Sequence, residues 1–147
     1  MKKLFIYYSL TGNGDIIAEY LKGKGYEIRK VETSETLPKN NILRIISGGY
    51  KTMINYEDKL IDFNDDISPY EEILIGSPIW NFRLSSPINT VLKLLELKNK
   101  KVKFILYSGS NNCEKINKKI VSQYPNIEII NLSEPKNNKS ELNKLKL

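Results

Sequence analysis

Short apolar runs alternate along this chain with stretches of helical period. Leu4-Phe5-Ile6-Tyr7-Tyr8 predicts a first strand over about 3–8. Ile17, Tyr20 and Leu21 then recur on one helical face, predicting a helix over 14–22 that Gly23 or Gly25 closes. Residues 26–32 predict a weaker strand near a sheet edge. A helical pattern over 38–56 is interrupted by Gly48-Gly49, and 59–69 reads as extended and acidic. Residues 72–77 predict a central strand. Ile88, Val91, Leu92 and Leu95 follow at i, i+3, i+4 and i+7, with Ser86 as N-cap and Pro87 at the first helical position. A strand over 101–108 leads to a helix over 113–123, where Asn111 and Glu114 form a cap pair and Pro125 is the stop. A fifth strand over 127–132, a polar stretch over 133–139 and a short last helix over 140–147 complete the pattern.

Strands alternating with helices imply a parallel sheet covered on both faces. Right-handed crossovers close five such strands into a doubly wound α/β sandwich of order 2-1-3-4-5, one domain over residues 1–147. At the switch point of that order the carboxyl ends of strands one, three and four meet at one crevice.

Three loops reach that crevice. The first, Ser9-Leu10-Thr11-Gly12-Asn13-Gly14-Asp15, lies between a strand and a helix. It offers hydroxyls, an amide and lightly shielded backbone N–H groups, and the helix dipole points its positive end at it, which suits a phosphate. The same residues also make ordinary turns and caps. The second loop, Pro78-Ile79-Trp80-Asn81-Phe82-Arg83-Leu84-Ser85-Ser86, carries the one tryptophan, a stacking surface for a flat ring or else a cap on the sheet end. The third, Ser108-Gly109-Ser110-Asn111-Asn112, is small and polar, fit for a ring edge or for a simple turn. Arg83 is equally a charge partner for a ligand or a solvated residue, and Cys113 at the next helix start reads as structural.

Composition removes whole classes of chemistry. The 147 residues include no histidine and one cysteine, so neither a thiolate–imidazole zinc site nor a Ser-His-Asp triad can form. The single cysteine suits a reducing compartment, and no signal or membrane-spanning run is present, so a cytoplasmic location is expected. The net charge is +6, unevenly placed: residues 93–147 hold twelve lysines against five acids, +7, leaving −1 for residues 1–92. Few aromatics lie among the lysines, which disfavours a nucleic-acid surface. An acidic cluster at Glu57, Asp58, Asp62, Asp65, Asp66, Glu71 and Glu72 precedes the third strand.

Tyr8-Ser9-Leu10-Thr11-Gly12-Asn13, Ile75-Gly76-Ser77-Pro78-Ile79-Trp80 with Ser86-Pro87-Ile88-Asn89, and Ser108-Gly109-Ser110 together resemble the flavodoxin family over nearly the whole chain. The resemblance implies non-covalent FMN and electron transfer through it. By the same resemblance, Ser9, Leu10, Thr11, Gly12, Asn13 and Gly14 surround the phosphate. Pro78, Ile79, Trp80, Asn81 and Phe82 pack on the isoalloxazine, and Ser108, Gly109 and Ser110 line its other side. Three departures stand out. Gly14 occupies a place where the family often has a hydroxyl residue. The third loop lacks the tyrosine that often covers the outer ring face. The chain is basic where many carriers are acidic. An electron carrier serving a redox partner protein or small acceptor, as monomer or dimer, is the first expectation. An FMN-dependent NAD(P)H or quinone reductase and a non-redox module for a phosphorylated ligand are the alternatives.

Overall fold

The computed structural model describes residues 1–34, 58–109 and 113–146. The helical pattern expected over 38–56 and the residues Ser110, Asn111 and Asn112 lie outside them. The elements run β1 (Lys3–Tyr7), α1 (Asn13–Lys22), β2 (Glu27–Lys30), β3 (Glu72–Trp80), β4 (Arg83–Leu84), α2 (Ser86–Leu94), β5 (Lys101–Ser108), α3 (Glu114–Gln123), β6 (Glu128–Ser133) and a 3-10 helix at Lys139–Lys144. Five strands pair in parallel in the order β2-β1-β3-β5-β6, and β4 pairs antiparallel with β3. The expected doubly wound sandwich and its strand order are therefore present, with one short strand added.

Alternation within the strands sends side chains to two separate cores. Leu4, Ile6, Ile73, Ile75, Phe104 and Leu106 face Ile88 and Val91 of α2 and Ile116 and Ile120 of α3. Phe5, Tyr7, Leu74, Ile105 and Tyr107 face Ile17, Ala18 and Leu21 of α1 and Leu142 and Leu145 from the 3-10 segment. Burial on both faces is why the central strands read as unbroken apolar runs. The last segment forms a 3-10 turn rather than the expected α-helix, and two leucines suffice to seat it.

Several boundaries differ from the sequence reading. Ser85, not Ser86, is the N-cap of α2, and its hydroxyl does not cap the helix. Its hydroxyl instead lies 3.2 Å from the Ser77 hydroxyl, which also accepts the Ser85 N–H at 3.0 Å. Cys113, buried, takes the N-cap place of α3. Glu57 of the acidic cluster lies outside the described residues, and other members take separate roles. Asp58 is buried and accepts a hydrogen bond from the Ser86 hydroxyl. Asp65, Asp66, Glu71 and Glu72 lead into the amino end of β3, opposite the crevice, where the Glu71 N–H bonds the Lys2 carbonyl. Among the described residues no helix is long and apolar enough to cross a membrane.

Glu72 is the buried charge of that amino end. It accepts from the Tyr26 hydroxyl and pairs with Lys101 at 3.0 Å. Burial would raise its carboxyl pKa, but the bonds from Tyr26 and Lys101 outweigh burial and hold it below the ordinary range. A carboxyl so depressed stabilises the fold above its unfolded-state pKa and loses that contribution as pH falls through the folded value. Tyr26→Phe should therefore cost about 1–3 kcal/mol at neutral pH, and the cost should shrink as Glu72 protonates. Urea unfolding of both proteins across the acid range checks the size and the direction.

Candidate functional site

The register of the parallel strands brings together the strand ends from which the three loops start. Tyr7 of β1 lies opposite Gly76 of β3, and Pro78 of β3 opposite Tyr107 of β5, so the ends of β1 and β5 flank β3, which runs on to Trp80. The Tyr8 N–H bonds the Gly76 carbonyl at 3.2 Å, and the Tyr107 hydroxyl donates to the Tyr8 carbonyl. The start of the first loop is thus pinned to both neighbouring strands.

The first loop is built around a close approach. Gly14 is buried, and a β-carbon on it would fall 2.7 Å from the Tyr107 hydroxyl and 2.7 Å from Tyr7 Cδ2. Glycine stands there because two tyrosines already fill the space, which accounts for the missing hydroxyl residue. Its N–H donates to the Ser9 hydroxyl at 3.1 Å. The Ser9 side chain thus holds the loop together from within, and its hydroxyl also favours the ionised Asp15 carboxylate. Asp15 further accepts from the Tyr7 hydroxyl at 2.9 Å and from Lys30 at 2.8 Å. Burial opposes its ionisation, yet Lys30 and Tyr7 prevail and lower its pKa. The same environment, burial first and then Asp15, raises the Tyr7 phenol, and burial raises that of Tyr107 well above its ordinary value. Both phenols stay protonated and serve as donors.

The rest of the loop faces outward. Leu10 turns its side chain into the core while Thr11 is exposed. Gly12 adopts φ 95°, a left-handed conformation natural to glycine, and precedes α1 at its N-cap position. Among the described residues, the N–H groups of Thr11, Gly12 and Asn13 meet no acceptor. Asn13 Nδ2 donates to Thr11 Oγ1 at 3.3 Å, which leaves the Thr11 proton to point elsewhere. Asn13 Oδ1 accepts from the Lys136 N–H at 3.0 Å, consistent with that orientation of the amide. Three open N–H groups, one free hydroxyl proton and a helix dipole make an anion cradle.

The second loop is more ordered than expected. Pro78, Ile79 and Trp80 belong to β3 itself. Ile79 pairs with Leu84 and Trp80 with Arg83 in a tight hairpin. Its turn is Asn81 and Phe82, both left-handed, with φ 48° and 57°. Positive φ at both central residues is the type I′ signature; asparagine accepts it readily and phenylalanine does not. Phe82 is held with its ring 46% exposed and the Lys115 ammonium 5.4 Å from its centroid. Pro78 is buried, while Ile79 and Trp80 are partly so. The indole meets Tyr8 edge-on, with centroids 6.2 Å apart. Trp80 therefore both leans on the sheet end and keeps part of its surface at the crevice. Arg83 is half-buried on β4.

Of the third loop, Ser108 ends β5 half-buried and Gly109 is exposed. The Ser108 carbonyl accepts from the Glu134 N–H at 3.0 Å. This contact belongs to a turn after β6 that sequence reading passed over as merely polar. Its Lys136 also donates from Nζ to the Thr11 carbonyl at 3.0 Å. Nothing in the local pattern marks that lysine, whose partners lie more than 120 residues away. Tyr7 and Tyr107 were equally hidden, reading simply as members of apolar strands.

The profile of the flavodoxin family matches residues 53–145. A structure from Bacteroides eggerthii, assigned as a flavoprotein, is 21% identical over 99% of this chain and 98% of its own, with a TM-score of 0.72. A Lactobacillus acidophilus flavoprotein in complex with FMN is 22% identical over 95% and 97%, with a TM-score of 0.67. An FMN-dependent NADH-azoreductase from Bacillus anthracis, in complex with FMN, is 12% identical over 98% and 95%, with a TM-score of 0.50. At such identities these likenesses speak to the fold. No curated protein matches the chain by sequence.

The packing around Gly14 yields a direct expectation. Gly14→Thr, which restores the hydroxyl common in relatives, should destabilise the protein by about 1–3 kcal/mol through overpacking against Tyr7 and Tyr107. Chemical denaturation measures it; an unchanged midpoint would mean that the two rings yield.

Proposed function

This chain belongs to the flavodoxin family, and on that premise we propose that it binds FMN without a covalent bond and carries electrons through it. The observation that carries the reading is the meeting of the carboxyl ends of β1, β3 and β5, with the N–H groups of Thr11, Gly12 and Asn13 open to an anion. The residues present fit the cofactor. Thr11 and those three N–H groups would hold its phosphate beside the positive end of α1. Trp80, Asn81 and Phe82 would border its ring from the hairpin, and Ser108 and Gly109 would line the other side.

Bound FMN supplies the redox couple, and the protein binds, orients and surrounds it. The chain's own groups agree with that division of labour. No histidine is available as an acid or base, and Asp15 is committed to Tyr7 and Lys30. Tyr7 and Tyr107 remain neutral donors that brace the loop. What the side chains contribute is a fixed phosphate site, an aromatic border and a local charge balance. A basic chain around an anionic reduced ring favours a higher potential than acidic surroundings would.

A redox partner protein or small acceptor would take the electrons. The purified protein should show two visible flavin bands and should quench the fluorescence of added FMN. Mixed with FMN and NAD(P)H, it should not oxidise the nicotinamide steadily; steady turnover would instead favour a reductase. A colourless protein that leaves FMN fluorescence unchanged would overturn the reading.

Two variants test the assigned residues. Thr11→Val should weaken FMN by roughly 1.5–3 kcal/mol, the worth of a hydrogen bond to a charged group, and leave riboflavin binding unchanged. Trp80→Ala should weaken both flavins and shift the visible bands. Fluorescence titration and absorption spectra provide the readouts.

A further inference from the structure

The turn after β6 does more than connect elements. Glu134 sits at φ 43°, and its carbonyl accepts the N–H groups of Asn137 and Asn138, which closes the chain into a compact knob. Pro135 is buried beneath it. On one side the Glu134 N–H holds the Ser108 carbonyl at the start of the third loop. On the other, Lys136 grips the first loop three ways. Its N–H bonds Asn13 Oδ1, its ammonium bonds the Thr11 carbonyl, and its methylenes lie over Gly12, where a β-carbon would come within 3.2 Å of Lys136 Cδ.

We propose that Lys136 is the positioning residue and resident cation of the phosphate loop, making that loop selective for a phosphorylated flavin over the bare one. The inference rests on the FMN reading above. The loop's own residues, Ser9 to Gly14, contain no positive charge, so within the loop itself the ligand's two negative charges would meet only neutral dipoles. An ammonium on the Thr11 carbonyl places a full positive charge behind the Thr11–Gly12 peptide and polarises it, so that the Gly12 N–H on the other side becomes a stronger donor. Its hold on Asn13 Oδ1 and the Thr11 carbonyl also fixes both ends of the segment that bears the open N–H groups. Gly12 suits this place by its left-handed backbone, and the lysine stem lies close over it.

The test compares FMN and riboflavin binding, by fluorescence titration, in the natural protein, Lys136→Met and Lys136→Arg. Methionine keeps much of the stem and loses the charge. Lys136→Met should weaken FMN about tenfold, leave riboflavin within about twofold, and lose the FMN effect at high salt. Lys136→Arg should bind FMN within about threefold of the natural protein, because the charge returns. Equal FMN affinity in the natural protein and Lys136→Met would overturn the proposal, as would a parallel loss of FMN and riboflavin, which marks a purely structural role. Failure of Lys136→Arg to recover FMN binding would also count against it. A natural protein that binds neither flavin would instead overturn the FMN reading and this inference with it.

Discussion

Everything at the carboxyl end of this sheet depends on how closely one loop lies against it. Gly14 lies so close to the Tyr7 ring and the Tyr107 hydroxyl that no β-carbon fits there, and the Tyr107 hydroxyl donates to the Tyr8 carbonyl. Two phenols, one from β1 and one from β5, thus set both the depth and the tilt at which α1 begins. Burial raises the pKa of both phenols, so both remain donors at neutral pH. Asp15 and Lys30 extend the brace from the loop to β2. The helix dipole, the open N–H groups and the Thr11 hydroxyl acquire their common direction from this packing.

A second constraint comes from the hairpin. β3 runs beyond its parallel neighbours and folds back on itself through Asn81 and Phe82. A phenylalanine in a left-handed conformation is a strained choice, and such strain persists only when surrounding structure holds it. Pairing of Ile79 with Leu84 and of Trp80 with Arg83, together with Lys115 over the Phe82 ring, does so here. The result is a rigid aromatic rim rather than a loose loop.

Much of this was readable from the chain. Alternating apolar runs at Leu4–Tyr8 and Phe104–Tyr107, and the i, i+3, i+4, i+7 pattern from Ile88 to Leu95, located the central strands and α2, and with them the strand order. Small polar residues directly after strand ends located the loops. What escaped notice was whatever depends on distant neighbours. The hairpin spans only two paired residues per strand, and its turn lacks the glycine that usually announces one. Ser85 and Ser86 are indistinguishable as caps until Ser77 and Asp58 are seen to claim their hydroxyls. Gly14 reads only as a departure from the family pattern, because nothing local reveals the two tyrosines beside it. Glu71 and Glu72 joined an acidic cluster on paper, but in the fold they sit at the opposite end of the sheet from the crevice.

The turn at Lys136 also bears on the order in which the protein matures. Asn13 and Lys136 are 123 residues apart in the chain, and Thr11 and Lys136 are 125 apart. Chains emerge from the ribosome amino end first, and contacts of such separation form late. The first loop is therefore translated early but completed only when the turn after β6 has closed over Gly12. Until then a nascent chain carries the loop without its last contacts, and the grip on a cofactor matures with the final strand.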